Sequence, residues 1–123
     1  MYIYIGALIA AVATAFFHFP GLDGWYMEYW WYDIFMHILG GFAVGLLIAS
    51  SMMVFGYKSP RRLFHIVLGT LLIGLAWEYF EVYFELTGYP LGSQLYYIDT
   101  LIDVADDIIG GLMAMYVFSR SRR

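Results

Sequence analysis

Cysteine is absent from the 123 residues, which excludes disulfides and thiolate ligands together and leaves oxygen and imidazole nitrogen as the donors for any bound metal. Charge is scarce as well. Only 13% of the residues are Asp, Glu, Lys or Arg, against 63% hydrophobic and a mean hydropathy of +0.72, a balance well outside that of a soluble domain. The six basic residues form two short flanks, Lys58/Arg61/Arg62 and Arg120/Arg122/Arg123. Without an extended basic patch, nucleic acid is not indicated as a partner. Nucleophile elbow, phosphate loop and dinucleotide fingerprint are also missing.

What is present is a set of apolar runs. Segments 2–19, 34–55, 63–86 and 100–118 are each long enough to cross a bilayer. The prediction is an all-α, polytopic membrane protein with four transmembrane helices arranged as two similar helical hairpins, a single bundle over 1–123. The first run competes with a secretory-signal reading, because Ala11-Val12-Ala13 and Ala13-Thr14-Ala15 resemble cleavage sites. It lacks a basic n-region, so the span reading is kept. All ten acidic residues fall at one end of these runs and all six basic residues at the other. The positive-inside rule then places both termini in the cytoplasm of a multi-pass inner-membrane protein, with the acids facing outward. The outer connections are rich in Trp and Tyr (Trp25, Tyr26, Tyr29, Trp30, Trp31, Tyr32; Tyr89, Tyr96, Tyr97), which reads as an interfacial belt, with 22–32 lying along the membrane surface.

An internal repeat is visible. Asp33-Ile34-Phe35-Met36-His37-Ile38-Leu39-Gly40-Gly41 recurs as Asp103-Val104-Ala105-Asp106-Asp107-Ile108-Ile109-Gly110-Gly111, and Pro20 pairs with Pro90 at the same offset. Two halves related by an axis along the membrane normal would bring the second and fourth helices together at Gly41 and Gly111, and with them Asp33/His37 and Asp103/Asp107.

The acids lie in helical rows. Asp33 and His37 are four apart, Glu78, Glu81 and Glu85 three and four apart, and Asp99, Asp103, Asp106 and Asp107 follow the same pattern, so each set shares one face of its helix. Burying ionised Glu78, Glu81, Asp103, Asp106 and Asp107 at mid-helix would cost roughly 12–18 kcal/mol as an upper figure. No Lys or Arg lies at this end to offset it. Bound cations, shared protons or a wet vestibule remain, and one or two divalent ions would use the carboxylate oxygens as ligands. The metal ligands expected are Asp33, His37, Glu78, Glu81, Asp103, Asp106 and Asp107, with Glu81 also the candidate catalytic base. The imidazole favours Fe, Mn or Zn over Mg or Ca. Asp23, Glu28 and Glu85 read as interfacial residues, His18 as a structural histidine near the site and His65 as solvated. A bis-His haem between His18 and His37 gains nothing from so many carboxylates.

Taken in order, Asp33-xxx-His37 with Gly40-Gly41-Phe42, Trp77-Glu78-Tyr79-Phe80-Glu81, Leu91-Gly92-Ser93-Gln94, Asp99-Thr100-xx-Asp103 and Gly110-Gly111 resemble the YjdF-like family of small bacterial inner-membrane proteins, itself similar to the VanZ-like group. The resemblance covers roughly the last three helices and implies no activity, since the family's function is unassigned. Similar proteins carry a further Asp where this chain reads Leu95-Tyr96-Tyr97-Ile98. The leading functional expectation is a metal-dependent membrane enzyme acting on a lipid-soluble substrate. Divalent-cation binding or transport comes second, and a small structural subunit of a larger membrane complex third. Besides the lipid bilayer, the partner expected is a second copy of the chain or another membrane protein.

Overall fold

The computed structural model describes residues 2–121; Arg122 and Arg123 of the basic flank lie outside the described residues. Helix α1 (Tyr2–Pro20) runs through uninterrupted apolar sequence and ends on a proline, whose missing N–H removes a bond from the last turn. One wide turn, Gly21–Trp25, follows, with Gly24 at φ 117°, a conformation that glycine alone adopts freely. A single-turn helix α2 (Tyr26–Glu28) leads into α3 (Tyr32–Val54), then α4 (Arg62–Tyr83) and α5 (Gln94–Arg120). The fold is all-α, with no strand among the described residues.

Three stretches, Tyr2–Glu28, Tyr32–Val54 and Arg62–Tyr83, are long and apolar enough to cross a membrane. Helix α5 is the longest at 27 residues, but Asp99, Asp103, Asp106 and Asp107 lower the hydropathy of its first half. Two boundaries differ from the sequence expectation by three residues or more, for identifiable reasons. The run expected over 63–86 stops as a helix at Tyr83, because Glu85 takes a left-handed φ of 57° and Leu86 N–H bonds back to the Glu81 carbonyl at 2.8 Å, the closing bond of a Schellman motif. The run expected over 100–118 starts six residues early, at Gln94. Ser93 caps it, its Oγ accepting the Tyr96 N–H at 3.2 Å.

Helices α3 and α5 form the centre and run parallel, Gly41 lying at Asp107 and Gly45 at Ala114. A Cβ on Gly41 would collide with the Asp107 backbone, one on Gly110 with Ile38 and Phe42 backbone atoms, and one on Gly45 would lie 2.6 Å from Ala114 Cβ. Glycine therefore sets the interaxial distance, as in small-residue membrane helix pairs. The crossing is offset from the expected one. Gly41 meets Asp107 and Gly110, while Gly111 turns to Thr70 of α4, whose Oγ1 would stand 2.9 Å from a Cβ there. Helix α4 packs antiparallel against both, and α1 packs on α3. The buried apolar core, from Ile3, Ala7 and Ala10 through Leu46, Ala49 and Ile66 to Ala114 and Phe118, occupies the basic half. Lys58 and Arg61 at the α3–α4 turn and Arg120 at the end of α5 are exposed there. The opposite half holds the acids.

Candidate metal centre

His37 is buried at the centre of three carboxylates. It projects from the second turn of α3, one turn below Asp33, so helical spacing alone stacks the pair; their Nε2 and Oδ1 are 3.7 Å apart. The close α3–α5 approach at Gly41 and Gly110 delivers two more acids. Asp103 Oδ1 lies 3.8 Å from the same Nε2, and Asp107 Oδ1 lies 3.4 Å from Nδ1 on the opposite side of the ring. All three separations exceed the 2.7–3.2 Å typical of hydrogen bonds. One ligand atom from each of Asp33, His37 and Asp103 falls within 4.8 Å of the others. Donors bound at about 2.0–2.1 Å to a tetrahedral ion stand roughly 3.4 Å apart, so a small contraction lets these three atoms hold a metal.

The other expected ligands occupy different positions. Asp107 faces Nδ1, and its second oxygen rests over Gly74 of α4, where a Cβ would strike it. That oxygen has no hydrogen-bond partner among the described residues, and neither has Glu78 Oε1, one turn further along α4, nor Asp106 Oδ2. Buried carboxylate oxygens left unpaired are costly, and the described basic side chains lie at the far end of the bundle. Glu81 is half-buried, its Oε1 accepting a hydrogen bond from Trp77 Nε1 at 2.9 Å. Asp23, Glu28 and Glu85 are exposed, in keeping with interfacial positions.

A cleft of about 390 Å³ lies beside the cluster, bounded by α1, α3 and α4. Asp33, His37, Asp107 and Glu81 form its polar end; Gly40, Ala43, Val44 and Ile73 on α3 and α4 and Ala11 and Ala15 on α1 are among the residues that line the remainder. At the polar end His18 Nδ1 and Tyr26 Oη are 2.9 Å apart, and the His18 ring meets the Trp77 indole edge-on with centroids 5.9 Å apart. These three aromatic residues roof the cleft. The sequence offered His18 only as a structural residue and folded Tyr26 into an aromatic belt; Trp77 stood only in the family pattern. No periodicity distinguishes a roofing aromatic from an interfacial one. Tyr32, also placed in that belt, is buried instead and donates its hydroxyl proton to the Phe17 carbonyl at 2.5 Å, tying α1 to α3.

A family model described as "Predicted membrane protein (DUF2238)" matches residues 2–123, in agreement with the resemblance drawn from the motifs. No curated protein and no solved structure matches the chain. The chain belongs to this family of predicted membrane proteins.

Proposed function

We propose that this family member is a four-span protein of the inner membrane, both termini cytoplasmic, in which Asp33, His37 and Asp103 hold a divalent metal for an enzyme acting on a lipid-soluble substrate. The observation that carries the reading is the convergence of an imidazole nitrogen and two carboxylate oxygens from α3 and α5 at the polar end of an otherwise apolar cleft. Asp107, on the far nitrogen of the same ring, orients His37, the usual role of the outer partner of a metal-bound imidazole. Glu81 at the cleft end is the general base, and Glu78 and Asp106 are carboxylates in reserve around the ion. One nitrogen with oxygens suits Fe, Mn or Zn. The bound ion supplies Lewis acidity; the chain supplies orientation, a proton acceptor and an apolar approach from the bilayer. The segregation of basic and acidic ends supports the topology. Packing of α1 on α3 and of α4 against α5 supports reading the two hairpins as a duplication.

Transport is the weaker alternative. Of the hydroxyls in the half away from the acids, Ser50 Oγ is buried without a hydrogen-bond partner among the described residues, while two turn back onto their own helices: Thr70 Oγ1 donates to the Ile66 carbonyl and Ser51 Oγ to the Leu47 carbonyl, each at 2.9 Å. Neither is left to form a polar relay. Elemental analysis of the protein purified in mild detergent tests the proposal. A stoichiometric transition metal is expected in the parent and its loss in the His37→Ala, Asp103→Ala double variant, whereas full occupancy in that variant overturns the site.

A further inference from the structure

We infer that the cleft binds a single-chain amphiphile with a cationic head, an amine or quaternary ammonium, the head lying against Glu81 and Trp77 and the chain along α3. This names a class for the lipid-soluble substrate of the reading above. It rests on that reading for any turnover, while binding itself needs no metal.

Shape gives the chain. The cleft is a slot floored by Gly40 and Gly41 and flanked by Ala11 and Ala15, small residues that leave room for one alkyl chain. It shares Val44, Leu47 and Ile73 with a second cavity of about 420 Å³ that continues along α3 to Phe55 and His65. From Asp33 to Phe55 at about 1.5 Å per residue the groove is roughly 33 Å long, close to the hydrocarbon thickness of about 30 Å. An extended chain entering from lipid therefore keeps its tail at bilayer depth along its whole length.

Charge gives the head. The ionisable groups at the polar end are Asp33, Glu81, Asp107, Tyr26 and the two histidines, and among the described residues no Lys or Arg lines either cavity. Against Glu81 a phosphate or carboxylate head would meet a carboxylate with no Lys or Arg beside it in the lining, and like charges at such range repel. An ammonium finds countercharge there and the Trp77 indole beside it, one face of which is stacked on Phe80. The Trp77 Nε1–H bond to Glu81 Oε1 holds indole and carboxylate as one unit, and an indole face is the best aromatic surface for a cation.

The experiment measures binding of radiolabelled hexadecylamine to the full-length protein in maltoside micelles, with and without prior chelator treatment. Unlabelled hexadecyltrimethylammonium, hexadecanol and hexadecyl phosphate serve as competitors. The ammonium should compete about tenfold better than the alcohol, and the phosphate should not compete. Glu81→Gln should weaken binding about tenfold, and Ala15→Leu, which fills the slot away from the metal donors, should abolish it while leaving metal content unchanged. Chelation should leave amine binding in place, so a protein without metal would refute the enzyme reading alone. Equal competition by amine, alcohol and phosphate, or parental binding by both variants, would reduce the groove to an ordinary lipid contact and overturn the inference.

Discussion

Replacing Asp107 by Asn separates a ligand from a residue that orients one. Asp107 Oδ1 lies 3.4 Å from His37 Nδ1, on the side of the ring opposite Asp33 and Asp103, so its oxygen cannot share an ion with Nε2. Asn is nearly isosteric, and its amide fits where the second carboxylate oxygen now rests over Gly74. The fold should survive, and the amide oxygen can still face Nδ1 from the place of Asp107 Oδ1. What is lost is the charge that makes His37 a stronger donor, and removal of such an outer partner costs about 10–100-fold in metal affinity. The conservative change belongs near tenfold, or about 1.4 kcal/mol; Asp107→Ala, which removes the acceptor as well, belongs nearer a hundredfold. Asp103→Ala deletes a donor and should exceed both. The assay is competition for Zn or Mn against a chromophoric chelator in detergent, with helicity followed by circular dichroism. Equal losses in the Asp107→Asn and Asp103→Ala variants would show Asp107 to be a ligand, and unchanged affinity in both Asp107 variants would refute the orienting role.

Three further outcomes are expected. Gly41→Ala should destabilise the bundle by about 2 kcal/mol or more in a denaturant titration, because its Cβ meets the Asp107 backbone, whereas Gly40→Ala, with Thr14 Cγ2 4.0 Å away, should be neutral; equal effects would contradict the crossing. Glu85→Gly should raise stability by about 1 kcal/mol by relieving a left-handed non-glycine residue, and a lowered melting temperature would argue against that turn. Because the chain has no cysteine, single cysteines at Leu91 and Ser121 can be labelled without background; they should react from opposite sides of intact cells, and reaction from the same side would refute the four-span topology.

The sequence by itself determined the all-helical membrane class, since long apolar runs and one-sided charge follow from composition and order alone. It also paired Asp33 with His37, because residues four apart must stack on a helix whatever surrounds it. Glycine at 41 and 110 pointed to a close helix pair, but its register depended on side chains from a third helix. Thr70 occupies the space facing Gly111, the crossing is offset, and Asp103 and Asp107 face opposite nitrogens of His37. One-dimensional spacing made all of these acids equivalent; only tertiary packing distinguished them. The cleft was decided the same way. It exists because α1 packs on α3 beside α4 with small residues between, and its roof because His18, Tyr26 and Trp77 come from separate elements. A gap between helices has no period in the chain, so only the folded arrangement could reveal it.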